Sequence, residues 1–215
     1  LDATKPGTVN PVEMLRLEAL TSFEKYTKLM FKCQYKRSFI VAEHHKKMFE
    51  VLQDVVDGKI TRLIINIAPR YGKTELVIKS FISWAFALNP RCRFLHLSYS
   101  DILVNDNSDT VRNIMSEELY KTLFPNSALA SEKGSAKRWK TKAGGELYAV
   151  STQGQVTGFG AGAVDEEIDK MDGGNDIFVF DDHTNEMLKM IDAKTNIFQG
   201  AIVIDDPLKA DDAAS

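Results

Sequence analysis

The chain is predicted to fold as an α/β protein with a mainly parallel central sheet, and three observations carry that prediction. Apolar, strand-like runs alternate with amphipathic helical stretches. The run Leu63-Ile64-Ile65-Asn66-Ile67 passes through Ala68-Pro69-Arg70-Tyr71-Gly72-Lys73-Thr74 into a helix-forming stretch. Such a strand-loop-helix unit presents backbone N–H groups and the positive end of a helix dipole to a phosphate. A late run, Ala201-Ile202-Val203-Ile204, ends in Asp205-Asp206-Pro207 and delivers two carboxylates at a strand terminus.

The elements follow in order. Asn10-Pro11-Val12-Glu13 offers an N-cap, a proline at the first helical position and an acid three residues after the cap. Apolar residues then recur at Met14, Leu15, Ala19, Phe23, Tyr26 and Met30, which predicts one amphipathic helix. A second helix is predicted over 42–56, with Met48, Phe49, Leu52, Val55 and Val56 on one face and Gly58 placed to end it. Leu63–Ile67 is apolar on both faces, the pattern of a central parallel strand.

After Thr74 the stretch 76–88 is apolar almost all round and predicts a buried helix closed by Asn89-Pro90. Arg93–Ser98 reads as a second strand, and Ser100-Asp101 starts a long helix that Pro125 stops. Arg138-Trp139-Lys140-Thr141 and Glu146–Ser151, joined through Gly144-Gly145, predict a hairpin. Eight of the thirteen glycines lie between Gly144 and Gly174, so sharp turns dominate there. An acidic segment over 165–200 has the texture of an insertion.

Composition sets the outer bounds. At 215 residues, one core is the default, divided here into an N-terminal helical lead-in over 1–58 and a main domain over 59–215. No apolar run approaches the roughly 18 residues of a membrane span. The net charge of −3 confines any nucleic-acid surface to a local patch. Cys33 and Cys92 lack metal-ligand spacing, which points to a reduced compartment without structural zinc or disulfide. The start at Leu1, without an initiator Met or signal-peptide pattern, suggests a fragment or a processed product.

The chemistry concentrates in two places. In the loop, Lys73 can reach the β and γ phosphates of a nucleotide and the Thr74 hydroxyl can ligand Mg²⁺. The usual first glycine of such a loop would fall at Ile67, so the pattern is partial. At the late strand, Asp205 suits a metal-holding carboxylate and Asp206 a water-positioning one. Ile177-Phe178-Val179-Phe180-Asp181-Asp182 competes for that role with the same form. Asp205 and Asp206 are preferred for their abrupt exit at Pro207, with Asp181, Asp182 and His183 read as a solvated turn.

With these residues in hand, the chain resembles the large terminase subunit of tailed bacteriophages. The likeness rests on His44-His45, on Gly58 through Thr74, on Gly144–Val150, on Val156–Ala163 and on Ile202–Lys209. The resemblance implies a three-layer fold of P-loop NTPase type and an ATPase that uses ATP and Mg²⁺ to move double-stranded DNA into a procapsid. It assigns the nucleotide to Pro69, Arg70, Tyr71, Gly72, Lys73 and Thr74, with Arg70 supplementing the donors that Pro69 lacks. It points to Phe39, His44 and His45 near adenine, against the alternative of a solvent-side histidine pair in a helix's first turn.

Implied partners are the portal protein, the small terminase subunit and further copies in a ring, acting in the host cytoplasm. Phe159 stands where the family often carries an arginine, and Asp206 where a glutamate is common in related ATPases. The chain ends before the position of the family's nuclease domain, so no DNA cleavage is expected of it. For DNA contact, Lys133, Lys137, Arg138, Lys140 and Lys142 cluster around Trp139; a basic hairpin that is simply solvated is the competing reading. A helicase-like DNA-dependent ATPase and a nucleotide-binding assembly module without turnover are the alternative functions.

Overall fold

The computed structural model describes residues 10–131, 135–152 and 198–206, together with residues 187 and 189. Helix α1 (Pro11–Thr21) starts as its sequence dictates, with the Asn10 side chain accepting from the Val12 N–H at 2.9 Å and Pro11 in the first turn. The predicted single helix is two. Ser22 ends α1 by donating its N–H to Glu18 and caps α2 (Phe23–Tyr35) by accepting from the Lys25 N–H. Helix α3 (Glu43–Val56) lies within a residue of its predicted span, and Gly58 takes a positive φ of 73° just beyond it.

The stretch after Thr74 begins as a π-helical turn, Glu75–Ser80, and continues as α4 (Phe81–Leu88). Ser83 donates to the carbonyls of Lys79 and Ser80 across this junction. As predicted, this helix is the hub of the core. Phe23 of α2 packs on Phe81 and Trp84, Trp84 donates to the Ala19 carbonyl at 2.9 Å, and Tyr26 donates to Ser83 at 2.7 Å. These hydrogen bonds satisfy polar tips that burial would otherwise leave unpaired. Strand β1 (Arg93–Ser98) follows, then α5 (Asp101–Ser116), which Ser100 caps, and α6 (Glu118–Leu123). Glu117, in extended conformation, divides what the sequence predicts as one helix.

The hairpin forms as predicted: β2 (Arg138–Lys140) pairs antiparallel with β3 (Glu146–Ser151), and Gly144 has φ 93° in the turn. With β4 (Gly200–Ile204) the sheet has four strands in the order β2-β3-β1-β4. Strand β1 is parallel to both β3 and β4, so the sheet is mixed and mostly parallel. Gly200 is required for that pairing, because a Cβ there would stand 2.0 Å from the Arg93 carbonyl oxygen. Phe94, Leu147 and Trp139 share one face of the sheet. Phe86 of α4 and Ser108 of α5 cover that face. Among the described residues, no helix is long and apolar enough to cross a membrane.

A predicted strand is also not met among the described residues. Leu63–Ile67 forms no regular element and pairs with no strand among the described residues. Leu63, Ile65 and Ile67 pack against the core, whereas Ile64 is 94 % exposed, so only one face of the segment is covered. An apolar run records the capacity to be buried on both faces; the hydrogen-bonding neighbour is a separate condition that the run does not encode.

Candidate active site

The site is built from two arms. The first is the loop that follows Leu63–Ile67. Arg70 and Gly72 both adopt left-handed backbone, with φ 68° and 79°. That conformation costs a residue with a Cβ and suits glycine. Helical bonding starts at once, with the Leu76 N–H on the Gly72 carbonyl at 3.0 Å. Pro69, Arg70 and Tyr71 are exposed, and Arg70 makes no ion pair among the described residues.

The second arm is the end of β4. The Asp205 N–H donates to the Leu97 carbonyl at 2.9 Å, and the Asp206 carbonyl accepts from the Tyr99 N–H at 3.0 Å, which carries the β1–β4 ladder past the strand's last residue. The two carboxylates thereby reach the loop. Thr74 Oγ1 donates to Asp205 Oδ2 at 2.8 Å across 131 residues of sequence. Lys73 Nζ lies 2.7 Å from Asp206 Oδ1 and 3.2 Å from Asp205 Oδ1. Burial works against the Lys73 ammonium, but its hydrogen bonds to Asp206 and Asp205 outweigh that and hold its pKa above the ordinary lysine value.

Thr74 and Asp205 offer hard oxygen donors on one spot, the ligand chemistry of Mg²⁺. Among the described residues, no group of three or more His, Cys, Asp or Glu side chains forms a metal cluster. A two-ligand protein site fits an ion that takes its remaining oxygens from nucleotide and water.

His44 and His45 stand beside the loop, with Phe39 packed on the His45 ring, and the two histidines differ in freedom. His44 packs against Tyr71 with ring centroids 5.3 Å apart, and its shielded Nε2 has no partner among the described residues. His45 spends both ring nitrogens on backbone: Nδ1 at 3.0 Å from the Ala42 N–H and Nε2 at 3.2 Å from the Tyr71 carbonyl. It has none left for a base. Burial and the neighbouring His44 both push its pKa down.

The proposed nucleic-acid cluster is also divided. Lys137, Arg138, Lys140 and Lys142 are exposed. Trp139 is only 5 % exposed, packs on Phe86 and donates to Ser108 at 2.9 Å, so its ring is core and not a stacking platform. The alternation of β2 turns it inward while its basic neighbours face out. Arg138 is tied by an ion pair to the buried Glu146 and sits over the Tyr148 ring at 5.5 Å. Lys133, the Val156–Ala163 segment with Phe159, the acidic stretch with Asp181, Asp182 and His183, and Pro207 through Lys209 lie outside the described residues.

Two contributors were missing from the sequence reading. Leu97 and Tyr99 act through backbone groups, so no side-chain signal announces them. Beneath the strand arm, His96 is fully buried, with Nδ1 3.3 Å from the Val203 carbonyl and Nε2 unpartnered among the described residues.

Fold and site together define an α/β protein in which a glycine-lysine-threonine loop meets two strand-borne aspartates. Comparison with protein-family models, with curated proteins and with solved structures finds no match to the chain. The functional reading therefore stands on these residues and their geometry.

Proposed function

We propose that this chain binds and hydrolyses Mg-ATP as a domain of P-loop NTPase type, and that it serves as the ATPase of a viral DNA-packaging motor. The convergence of Lys73 and Thr74 with Asp205 and Asp206 supports the first part, since residues more than 130 positions apart meet within hydrogen-bonding distance. The second part rests on the resemblance to large terminase subunits.

In this reading the residues divide the work simply. Lys73 and Arg70 neutralise phosphate charge, and the Gly72 region supplies backbone donors. Thr74 and Asp205 hold Mg²⁺, which when bound draws electron density from the phosphate oxygens. Asp206, whose carboxylate is more exposed than that of Asp205, accepts a hydrogen bond from an attacking water and aligns it. Positioning and electrostatics then carry most of the rate.

Lys73→Ala tests the reading directly. ATP turnover by the chain is expected to fall by about 10²-fold or more, the scale of losing one preorganised charge at a reacting phosphate, with the circular dichroism spectrum retained. Turnover at the unsubstituted rate would reject the assignment. DNA-stimulated turnover without strand separation supports the packaging reading over the helicase-like one.

A further inference from the structure

His45 has a geometry that binding to a base does not explain. The Ala42 N–H can only donate, so the Nδ1 it meets at 3.0 Å carries the lone pair. The neutral ring then holds its proton on Nε2, which faces a group that can only accept, the Tyr71 carbonyl at 3.2 Å. Backbone at both ends dictates one tautomer and one ring orientation. Phe39 meets the ring at a centroid separation of 5.0 Å and His44 at 3.9 Å, which fixes its plane. The loop is pressed onto it as well, since a Cβ built on Gly72 would stand 3.0 Å from Nε2.

We propose that His45 is a positioning residue of the phosphate loop, drawing the Tyr71 carbonyl toward α3 and so aiming the Gly72 N–H into the anion cradle. The peptide between Tyr71 and Gly72 is planar and trans, so its C=O and N–H point in opposite directions. Holding the first against α3 turns the second away from α3. The loop needs such a brace, because the segment that delivers it has no sheet partner among the described residues. The inference rests on the nucleotide reading above and changes one assignment within it: His45 shapes the phosphate site instead of reading the base.

Two substitutions separate this role from helix capping. In His45→Asn the side-chain oxygen stands near the place of Nδ1 and keeps the Ala42 bond, while the Tyr71 donor is lost. In His45→Gln the amide nitrogen reaches near the place of Nε2 and keeps the Tyr71 bond. Binding of a fluorescent ATP analogue with Mg²⁺ to the full chain is expected to weaken about tenfold in His45→Asn, the scale of one hydrogen bond. Its melting temperature should stay unchanged, and His45→Gln should bind like the unsubstituted chain.

A second readout needs no nucleotide. Tyr71-Gly72 is the sole Tyr-Gly pair in the sequence, so carbonyl-labelled Tyr with nitrogen-labelled Gly yields a single NMR cross-peak from that peptide. The peak should move in His45→Asn and hold in His45→Gln. An unmoved peak in His45→Asn overturns the proposal, as does unweakened binding. Weakened binding with a loss of melting temperature in His45→Gln, which lacks the Ala42 bond, while His45→Asn binds normally, also overturns it, because that is the signature of capping alone. If the unsubstituted chain and Lys73→Ala both bind no analogue, the nucleotide reading fails and takes this proposal with it.

Discussion

The two arms of the site are held in place by different means. Asp205 and Asp206 ride on β4, which is bonded along its length to β1 and anchored past its end at Leu97 and Tyr99. Lys73 and Thr74 open the helical run into α4, but the loop before them is delivered by a segment with no ladder among the described residues, held by the side chains of Leu63, Ile65 and Ile67 and by the His45 contact. A backbone ladder fixes direction and register at every residue. Side-chain anchoring fixes only the points it touches, so the loop arm should be the more adjustable of the two, a property that suits the side proposed to wrap a nucleotide.

That contrast can be tested from its strongest expected effect to its weakest. Gly200→Ala should be the most damaging, since the new Cβ meets Arg93 backbone at 2.0 Å and φ is 129°. A loss of about 3 kcal/mol or more in urea unfolding is expected from overpacking and backbone strain together; a stable, normally folded variant would show that β4 is not held as described. Gly72→Ala strains the loop arm instead, through φ 79° and the His45 contact. Nucleotide binding should suffer by about 1–3 kcal/mol, more than global stability does, which titration and thermal melts measured side by side would reveal.

Acid should act next, and on the strand arm. Burial holds the pKa of His96 below the ordinary histidine value, against the raising influence of the Val203 carbonyl and Asp205. The unfolded chain therefore takes up this proton more readily than the folded one. Its contribution to stability is complete above about pH 6.5 and is lost as pH falls through the lowered folded value. His96→Phe should flatten the fall in unfolding free energy over that window; an identical slope in both chains would remove His96 from the account. Smallest of all should be Ile64→Lys, at a position 94 % exposed, with a change within about ±0.5 kcal/mol. A large loss there would mean that the segment is covered by something beyond the described residues.

Local chemistry was legible in the sequence where neighbours in the chain decide the outcome. Asn10-Pro11 caps α1, Ser100 caps α5, Gly58 ends α3, and Gly144 turns the hairpin, each as its residue type dictates. The loop residues Gly72-Lys73-Thr74 and the strand terminus Asp205-Asp206 were both recognisable as halves of one site. The misreadings share a cause. The break at Ser22, the inward turn of Trp139 and the lack of a strand partner for Leu63–Ile67 among the described residues all depend on what lies opposite in space, which periodicity does not register. The resemblance points to His45 as a residue near adenine; the backbone partners of both its ring nitrogens are not written in the sequence.

The sequence by itself determined the alternation of helices and strands, their caps and turns, and the residue types able to hold phosphate and Mg²⁺, because those follow from local backbone preference and side-chain chemistry. Only the tertiary structure decided that Asp205 meets Thr74, that Asp206 meets Lys73, and that His45 faces the loop. The first two meetings depend on β4 pairing with β1 across a hundred residues of chain, through ladder hydrogen bonds and a glycine close approach whose partners are set by packing in three dimensions.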